Sequence, residues 1–309
     1  MVKLSCEWPN KLLTYVYNGV QLTSVVILQR GFKQVIIKTL VENTAVDDQF
    51  GVEHGLSLYI ETSKHKLLFD LGASDLFAKN AAKMGVDLSA VDTVVISHGH
   101  ADHGGGLRTF LNLNDKAKIY VNKNAFDEHY SDRPTGIADI GLERQLLPND
   151  RFVFVGDHLQ LDEELELFAG VEVKRYYPSG NETLLMKKGS VLTQDDFSHE
   201  QNLIITDGGK TVLIAGCAHR GIVNIVEHFH GLKGSYPTVV VGGFHLYNRS
   251  KKQQEKLETI QEIAEWLLKT QAEYYTCHCT GLGPYGIMKD RMKEKLGYLA
   301  TGSQLNLFN

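Results

Sequence analysis

Residues 97–105 read SHGHADHGG, and they follow the apolar run TVVIS. Within six positions they hold His98, His100, Asp102 and His103, and the chain has only 13 histidines in all. Solvated loops seldom need such a group, and cores avoid it. Neutral imidazoles and a carboxylate are good ligands for divalent zinc, iron or manganese. The apolar run predicts a buried strand that ends at Ser97, with the cluster in the loop beyond. There, alternate residues can turn inward, with His98 and His100 toward one ion and Asp102 and His103 toward a second. Gly104, Gly105 and Gly106 permit tight backbone approach. Any fold for this chain must bring a strand end, a loop and a helix start around one polar centre.

The rest of the chain narrows the class. Of 309 residues, 43% are hydrophobic and 22% charged, which suits a globular chain with a full-sized core. A formal charge of -5 leaves no global basic footprint for nucleic acid. No run of about 18 apolar residues predicts a membrane span. The cysteines Cys6, Cys217, Cys277 and Cys279 do not form a disulfide framework, so a reducing, cytoplasmic compartment is expected. The first 33 residues lack a clean apolar run with a cleavage pattern. They read as a loosely attached extension or an extra edge strand rather than a signal peptide. Residues 34–309 read as one domain, because no linker, repeat or low-complexity tract divides them.

Strand patterns fall at 34–43, 55–63, 65–72, 91–97 and 118–122, the second and third as a hairpin. A helix is predicted from Ser74 to a stop at Gly85, and another from the glycines after His103. Residues 123–150, with Pro134, Pro148 and mixed charges, read as an irregular or helical insertion over one face. LIIT and TVLIA around DGGK form a strong hairpin signal. A helix over 221–229 and a strand in PTVVVGGF follow. The clearest helix carries Leu257, Ile260, Ile263, Ala264, Leu267 and Leu268 as one stripe. A last strand, AEYYTCHCTG, ends in a loop. Strands and helices mixed in one domain suggest two packed sheets with helices outside, a mixed α/β (α+β) class.

The His-x-His-x-Asp-His pattern resembles the metallo-β-lactamase superfamily, and the resemblance runs over about residues 34 to 309. Further elements stand in order: Asp70 in LLFDLG, GCAHRG at 216–221 and HCTG at 278–281. With EHGLSLYIE and GGFHL, they look most like the branch of dihydropterin-ribofuranosyl-aminobenzene phosphate synthases. The resemblance implies a four-layer αββα sandwich with the site at one edge of the sheets. It implies two divalent metal ions, zinc foremost with manganese or iron as alternatives. His98, His100 and His219 would bind one ion, and Asp102, His103 and His278 the other. Water activated between them would attack a carbonyl or phosphoryl centre. Asp102 would also act in catalysis, orienting the nucleophile or taking up a proton.

Several residues keep two readings. Asp70 is a strand-end turn residue or a support for the metal loop, and the second is favoured. His278 is a core histidine or, as favoured here, a ligand. His199 in SHEQNL stands where a lone histidine ligand falls in other branches, but the GC-x-H histidine, His219, is preferred. Cys217 bridges the metals or is an inert buried thiol. Cys277 and Cys279 flank His278, and strand alternation would turn both away from it, toward core packing. His245 lines the pocket or packs. Glu53 and His54 are substrate contacts or edge residues. Arg220 and Arg249 follow two of the motif loops and would meet an anionic substrate, unless they are merely solvated. The N–H groups of Thr280 and Gly281 would add an anion nest.

The expected function is metal-dependent hydrolysis of a small, anionic or phosphate-bearing substrate, with no nucleic-acid or membrane partner. A synthase-type transferase is the first alternative. A non-catalytic metal-binding or sensing protein and a di-iron redox protein are the others. No phosphate-binding Gly-rich loop, nucleophile elbow or kinase motif set is present.

Overall fold

The computed structural model describes residues 34–308 in full and, before them, only the backbone of residues 11–17 and 20–26. These two segments pair with each other as an antiparallel hairpin. What the extension as a whole contributes lies outside the described residues.

Two seven-stranded sheets build the domain. The first runs Phe152–Val155, Lys118–Asn122, Thr93–Ile96, Lys66–Phe69, Ser57–Glu61, Val35–Val41, Gln304–Leu307. The second runs His158–Gln160, Leu165–Ala169, Gln201–Asp207, Lys210–Ile214, Val239–Gly242, Glu273–Thr276, Leu296–Tyr298. Their central strands are apolar on both faces, and alternation sorts the side chains into three cores. Leu67, Phe69 and Val95 meet Leu203, Ile205, Val212, Ile214, Val239 and Val241 between the sheets. Leu68, Val94, Ile96, Ile119 and Val121 face the other way and cover Phe77, Ala81, Leu107 and Phe110 from helices Leu76–Lys83 and Leu107–Leu113. Ile204, Leu213, Val240 and Tyr274 pack on helices Ile222–Lys233, Leu257–Lys269 and Leu282–Met292. The layer order is therefore helix, sheet, sheet, helix.

The topology also fixes where chemistry can sit. Lys66–Phe69 and Thr93–Ile96 are parallel neighbours in the first sheet. Lys210–Ile214, Val239–Gly242 and Glu273–Thr276 are parallel neighbours in the second. Parallel strands end on one edge, so the loops after all five open together. Those loops carry Asp70, His98, Cys217, His245 and His278.

Two expectations are corrected. Residues 123–150 are not an irregular or helical cover. His129–Arg133 and Gly136–Asp139 form a tight hairpin, closed by Pro134 and Thr135. Its first strand pairs with Leu184–Lys188, some fifty residues on, in a four-stranded sheet with Val191–Gln194. That pairing partner is too distant for local pattern to show. The chain also does not end its regular structure after HCTG. Helix Leu282–Met292 follows, and Leu296–Tyr298 and Gln304–Leu307 then close one edge of each sheet. Among the described residues, no helix is long and apolar enough to cross a membrane.

Candidate metal centre

The loop after Thr93–Ile96 is fixed from its first residue. Asp70 Oδ1 accepts from the Ser97 backbone N–H at 2.7 Å, and Oδ2 accepts from Ser97 Oγ at 2.7 Å. With that hydroxyl proton directed at Asp70, Ser97 Oγ accepts from His98 Nδ1, 2.8 Å away. His98 therefore carries its proton on Nδ1 and turns the lone pair of Nε2 inward. Asp70 Oδ2 also lies 2.6 Å from His103 Nδ1, and His103 Nε2 turns inward to Cys217 Sγ, 3.1 Å away. Gly105 and Gly106 permit the turn, because a Cβ on either would collide with a backbone carbonyl, that of Ala73 or of Leu71.

The other loops repeat this arrangement. His219 Nδ1 meets Asn181 Oδ1 at 2.9 Å, and Asn181 Nδ2 donates to the His219 carbonyl at 2.8 Å. His278 Nδ1 meets Asn43 Oδ1 at 3.0 Å, leaving Nε2 buried with no hydrogen-bond partner. Buried carboxylates hold the backbones. Glu200 accepts from the His219 N–H at 2.6 Å, and Glu42 accepts from the His278 N–H at 2.7 Å. Burial pushes the Glu200 carboxyl up to about 7. Asp70, Ala218, His245 and His278 all adopt positive φ, a conformation that non-glycine residues keep only where surroundings impose it.

The freed nitrogens converge. His98, His100 and His219 offer donor atoms within 4.8 Å of one another. The Nε2 atoms of His98 and His219 stand 3.3 Å apart, both in the acceptor state by their Nδ1 contacts. Two facing lone pairs repel, and a cation between them removes the repulsion. Burial and the neighbouring histidines depress the pKa of both well below the ordinary 6.5, so both are neutral, the ligand form. Asp102 Oδ2 lies 3.4 Å from His278 Nε2, 3.7 Å from His103 Nε2 and 3.3 Å from His54 Nε2. Burial opposes its charge, but the surrounding histidines, led by His103, hold Asp102 ionised. For His103, burial is outweighed by Asp70 and Asp102, which raise its pKa to about 9, so a cation bound at Nε2 would displace a proton there. The residues thus fit a bound divalent cation: inward-facing donor atoms whose outer nitrogens are already held.

Of the six residues the sequence singles out as ligands, His98, His100 and His219 form one group of donors, and Asp102 faces His103 and His278. His199 falls in another group, with His100, His129 and Asp195, whose donor atoms also lie within 4.8 Å of one another. His199 Nδ1 accepts from the Gly99 N–H at 2.9 Å, and its Nε2 faces Asp195 at 3.2 Å. His129 Nδ1 reaches the same carboxylate at 3.1 Å, and His100 Nε2 stands 3.8 Å from it. His129 and Asp195 carried no recognisable signal, since each reaches the site through long-range pairing of the insertion sheet. Asn181 was missed for the same reason, and Asn43 because it meets His278 from 235 residues away in the chain.

Three further placements differ from expectation. Arg220 does not face the cavity, because its guanidinium donates to the carbonyls of Val171 at 2.9 Å, Asp196 at 2.8 Å and Phe197 at 3.5 Å. Thr280 and Gly281 form no anion nest. Their N–H groups are bound to the carbonyls of Cys277 and His278, and Thr280 Oγ1 accepts from the Phe244 N–H at 2.8 Å. Cys277 packs between the sheets, but Cys279 does not join it there. A 3-10 turn at His278–Thr280 breaks the strand alternation, and Cys279 faces Cys217 and His278. His245 also turns inward, its ring 4.2 Å from that of His219 and both its nitrogens without partners.

Above the centre lies an open cavity of about 550 Å³. His100, Asp102, Cys217, His219 and His278 form its floor, and Arg133 and Arg249 are on its exposed wall. Among the described residues no carboxylate pairs with either arginine. His54 joins the floor with its pKa lowered to about 4, by burial first and then by His278. Glu53 does not enter the cavity, since it accepts from Ala73, Ser74 and the Ser74 hydroxyl.

The chain belongs to the metallo-β-lactamase superfamily, whose family model matches residues 50–261. It is 30% identical over 249 residues to the uncharacterized protein MJ0448 of Methanocaldococcus jannaschii, covering 80% of this chain and 91% of that one. From the same organism, 7,8-dihydropterin-6-methyl-4-(β-D-ribofuranosyl)-aminobenzene-5'-phosphate synthase is 25% identical over 283 residues, 86% and 94% of the two chains. The solved structure of Tm1679, a metal-dependent hydrolase of the β-lactamase superfamily, matches with a TM-score of 0.75 and 29% identity. The match covers 89% of this chain and all of that one. Zinc-bound PqqB of Methylobacterium extorquens shares the fold at a TM-score of 0.52 and 12% identity, over 87% and 99% of the chains.

Proposed function

We propose that the protein is a metal-dependent hydrolase of small, anionic, phosphate-bearing molecules, holding two divalent cations at the floor of its cavity. The observation that carries this reading is the pair of facing Nε2 lone pairs on His98 and His219, 3.3 Å apart, inside a ring of fixed donors. His98, His100 and His219 would hold one cation; Asp102, His103 and His278 would hold the other. Cations bound there supply Lewis-acid activation of water and polarisation of a phosphoryl or carbonyl group.

The chain's own residues do the remainder. Ionised Asp102 orients the attacking water and accepts its proton at Oδ2. His54 Nε2 lies 3.3 Å from that carboxylate. Arg133 and Arg249 hold the anionic end of the substrate at the cavity wall, where a guanidinium suits bidentate contact with phosphate. Zinc is the foremost metal, and the formal net charge of -5 favours a small-molecule partner over nucleic acid.

The similarity to the dihydropterin ribofuranosyl-aminobenzene phosphate synthase favours a second reading, group transfer at the same centre. One experiment tests both. Protein purified without chelator is analysed for metal, then assayed on phosphomonoesters, phosphodiesters, dihydropterin phosphates, lactones and lactams, with His103→Ala as control. Metal-dependent release of product by water supports hydrolysis, and coupling of a dihydropterin to a second substrate supports transfer. Turnover of lactones or lactams alone would reject the phosphate-bearing substrate. Finding no stoichiometric metal after reconstitution with zinc, manganese or iron would reject the centre itself.

A further inference from the structure

Two thiols share the floor of the cavity with the histidines. Cys217 follows the strand Lys210–Ile214, and Cys279 sits in the turn after Glu273–Thr276. Both are buried and neither is in a disulfide. Cys217 Sγ lies 3.1 Å from His103 Nε2. Cys217, His278 and Cys279 offer donor atoms within 4.8 Å of one another. His278 Nε2, the nitrogen of that group, is buried without a hydrogen-bond partner. Gly243 makes room for the second thiol, because a Cβ there would collide with Cys279 Sγ.

A buried inert thiol is the ordinary alternative, and it calls for apolar neighbours. Cys277 meets that description, packed among the aliphatic side chains between the sheets. Cys217 and Cys279 instead face imidazoles. Zinc binds sulfur at about 2.3 Å and nitrogen at about 2.0 Å, so neighbouring ligands of one ion stand roughly 3–4 Å apart. The 3.1 Å from Cys217 Sγ to His103 Nε2 is close to that range, and Cys279 Sγ donates to the Cys217 carbonyl at 3.4 Å.

We propose that Cys217 and Cys279 are both thiolate ligands of the second cation position, beside Asp102, His103 and His278. The first position, His98, His100 and His219, is nitrogen only. The second then selects a thiophilic ion such as zinc over magnesium or manganese, because soft sulfur favours borderline cations. Each thiol releases its proton to solvent as its sulfur–metal bond forms. Two thiolates and Asp102 then offset three of the four positive charges of a cation pair. The inference rests on the metal-centre reading above.

Cobalt(II) tests it on the full chain. Wild-type protein is expected to bind cobalt with an intense near-ultraviolet sulfur-to-cobalt charge-transfer band. Cys217→Ser and Cys279→Ser should each lower the band by about half, since each removes one of two sulfur ligands. The double variant should lose it while still binding about one cobalt at the all-nitrogen position. Cys277→Ser should leave the band intact. X-ray absorption of the zinc-loaded wild type, which needs no variant, should show sulfur at about 2.3 Å. Stoichiometric metal with no sulfur contact, or a spectrum unchanged by Cys279→Ser, would overturn the proposal and leave the metal centre standing. No cobalt or zinc binding at all would overturn the metal-centre reading, and this inference with it.

Discussion

One strand, Lys66–Phe69, carries a histidine–carboxylate cluster at each end, and the two clusters use the same groups oppositely. Before the strand, His65 binds a carboxylate with each ring nitrogen: Nδ1 is 3.0 Å from Asp92 and Nε2 is 2.6 Å from Asp162. After it, Asp70 takes one nitrogen of His103 and leaves the other facing the cavity floor. The first histidine is saturated and joins two sheets. The second is oriented and left incomplete. A histidine's role is thus legible in its second nitrogen, and the candidate metal centre is the place where several second nitrogens are turned inward together. His219, His278 and His98 are incomplete in this way, whereas His199 is not.

The contrast is most sharply tested at His219 and His199. His219→Ala removes an open nitrogen and should weaken metal binding by more than about 100-fold, on the scale of losing a ligand outright. His199→Ala removes a histidine whose two nitrogens already have partners and should retain most of the metal. Metal content after dialysis against a graded chelator reads both. Retention in His219→Ala with loss in His199→Ala would reverse the assignment.

Asp195 is the intermediate case, a buried carboxylate met by His129 and His199 and faced by His100. Those histidines hold its pKa far below the ordinary carboxylate range, against the effect of burial. Asp195→Asn keeps the shape but puts an NH₂ where a ring N–H donates, so the rings must turn. Metal affinity should fall about 10- to 100-fold, the usual cost of removing an outer partner of a metal ligand. Chelator competition measures it. An unchanged affinity would mean that His100 needs no carboxylate behind it.

The arginines repeat the contrast with charge. Arg220 is saturated by three carbonyls, while Arg133 and Arg249 border the cavity without a carboxylate partner among the described residues. Arg133→Ala or Arg249→Ala should raise KM for a phosphate-bearing substrate about tenfold, near 1.4 kcal/mol, with kcat little changed. A fall in kcat at constant KM would place these side chains at the reacting atoms instead of the anionic end.

Much of this was readable from the chain because it is local. TVVIS followed by HGHADH fixes a strand, a loop and four donors in one stretch, and GCAH and HCTG repeat the arrangement at two other strand ends. The doubly buried runs VVI, LIIT and TVLI announce strands covered on both faces. What stayed hidden depends on distant pairing. His129 and Asp195 meet only because residues 129–133 pair with 184–188. Cys279 escaped because strand alternation was extended through it, whereas the backbone turns at His278, φ 52°. Arg220 shows the opposite error, since its position beside a ligand says nothing of the carbonyls that capture its guanidinium.

The smallest effect belongs to the saturated cluster, and it has a definite sign. Burial alone would lower the pKa of His65, but Asp92 and Asp162 outweigh it and raise the folded-state value above 6.5. With a carboxylate at each nitrogen, both ring nitrogens donate, so the bound form is the imidazolium. A raised folded pKa means that the stabilisation is fully present below about pH 6.5 and is lost as pH rises through the folded value. The side chains are partly exposed, 19% for His65 and 39% for Asp92, so solvent screens the pair. The contribution should be about 0.5–1 kcal/mol. His65→Gln should therefore melt below wild type at pH 6 and approach it at pH 9, measured on protein with its metal content held constant. Metal content itself should not change, because the substitution lies at the far end of the strand from Asp70. A stability difference that grew with pH would show that His65 is held neutral, and the division between saturated and open histidines would then rest on the metal centre alone.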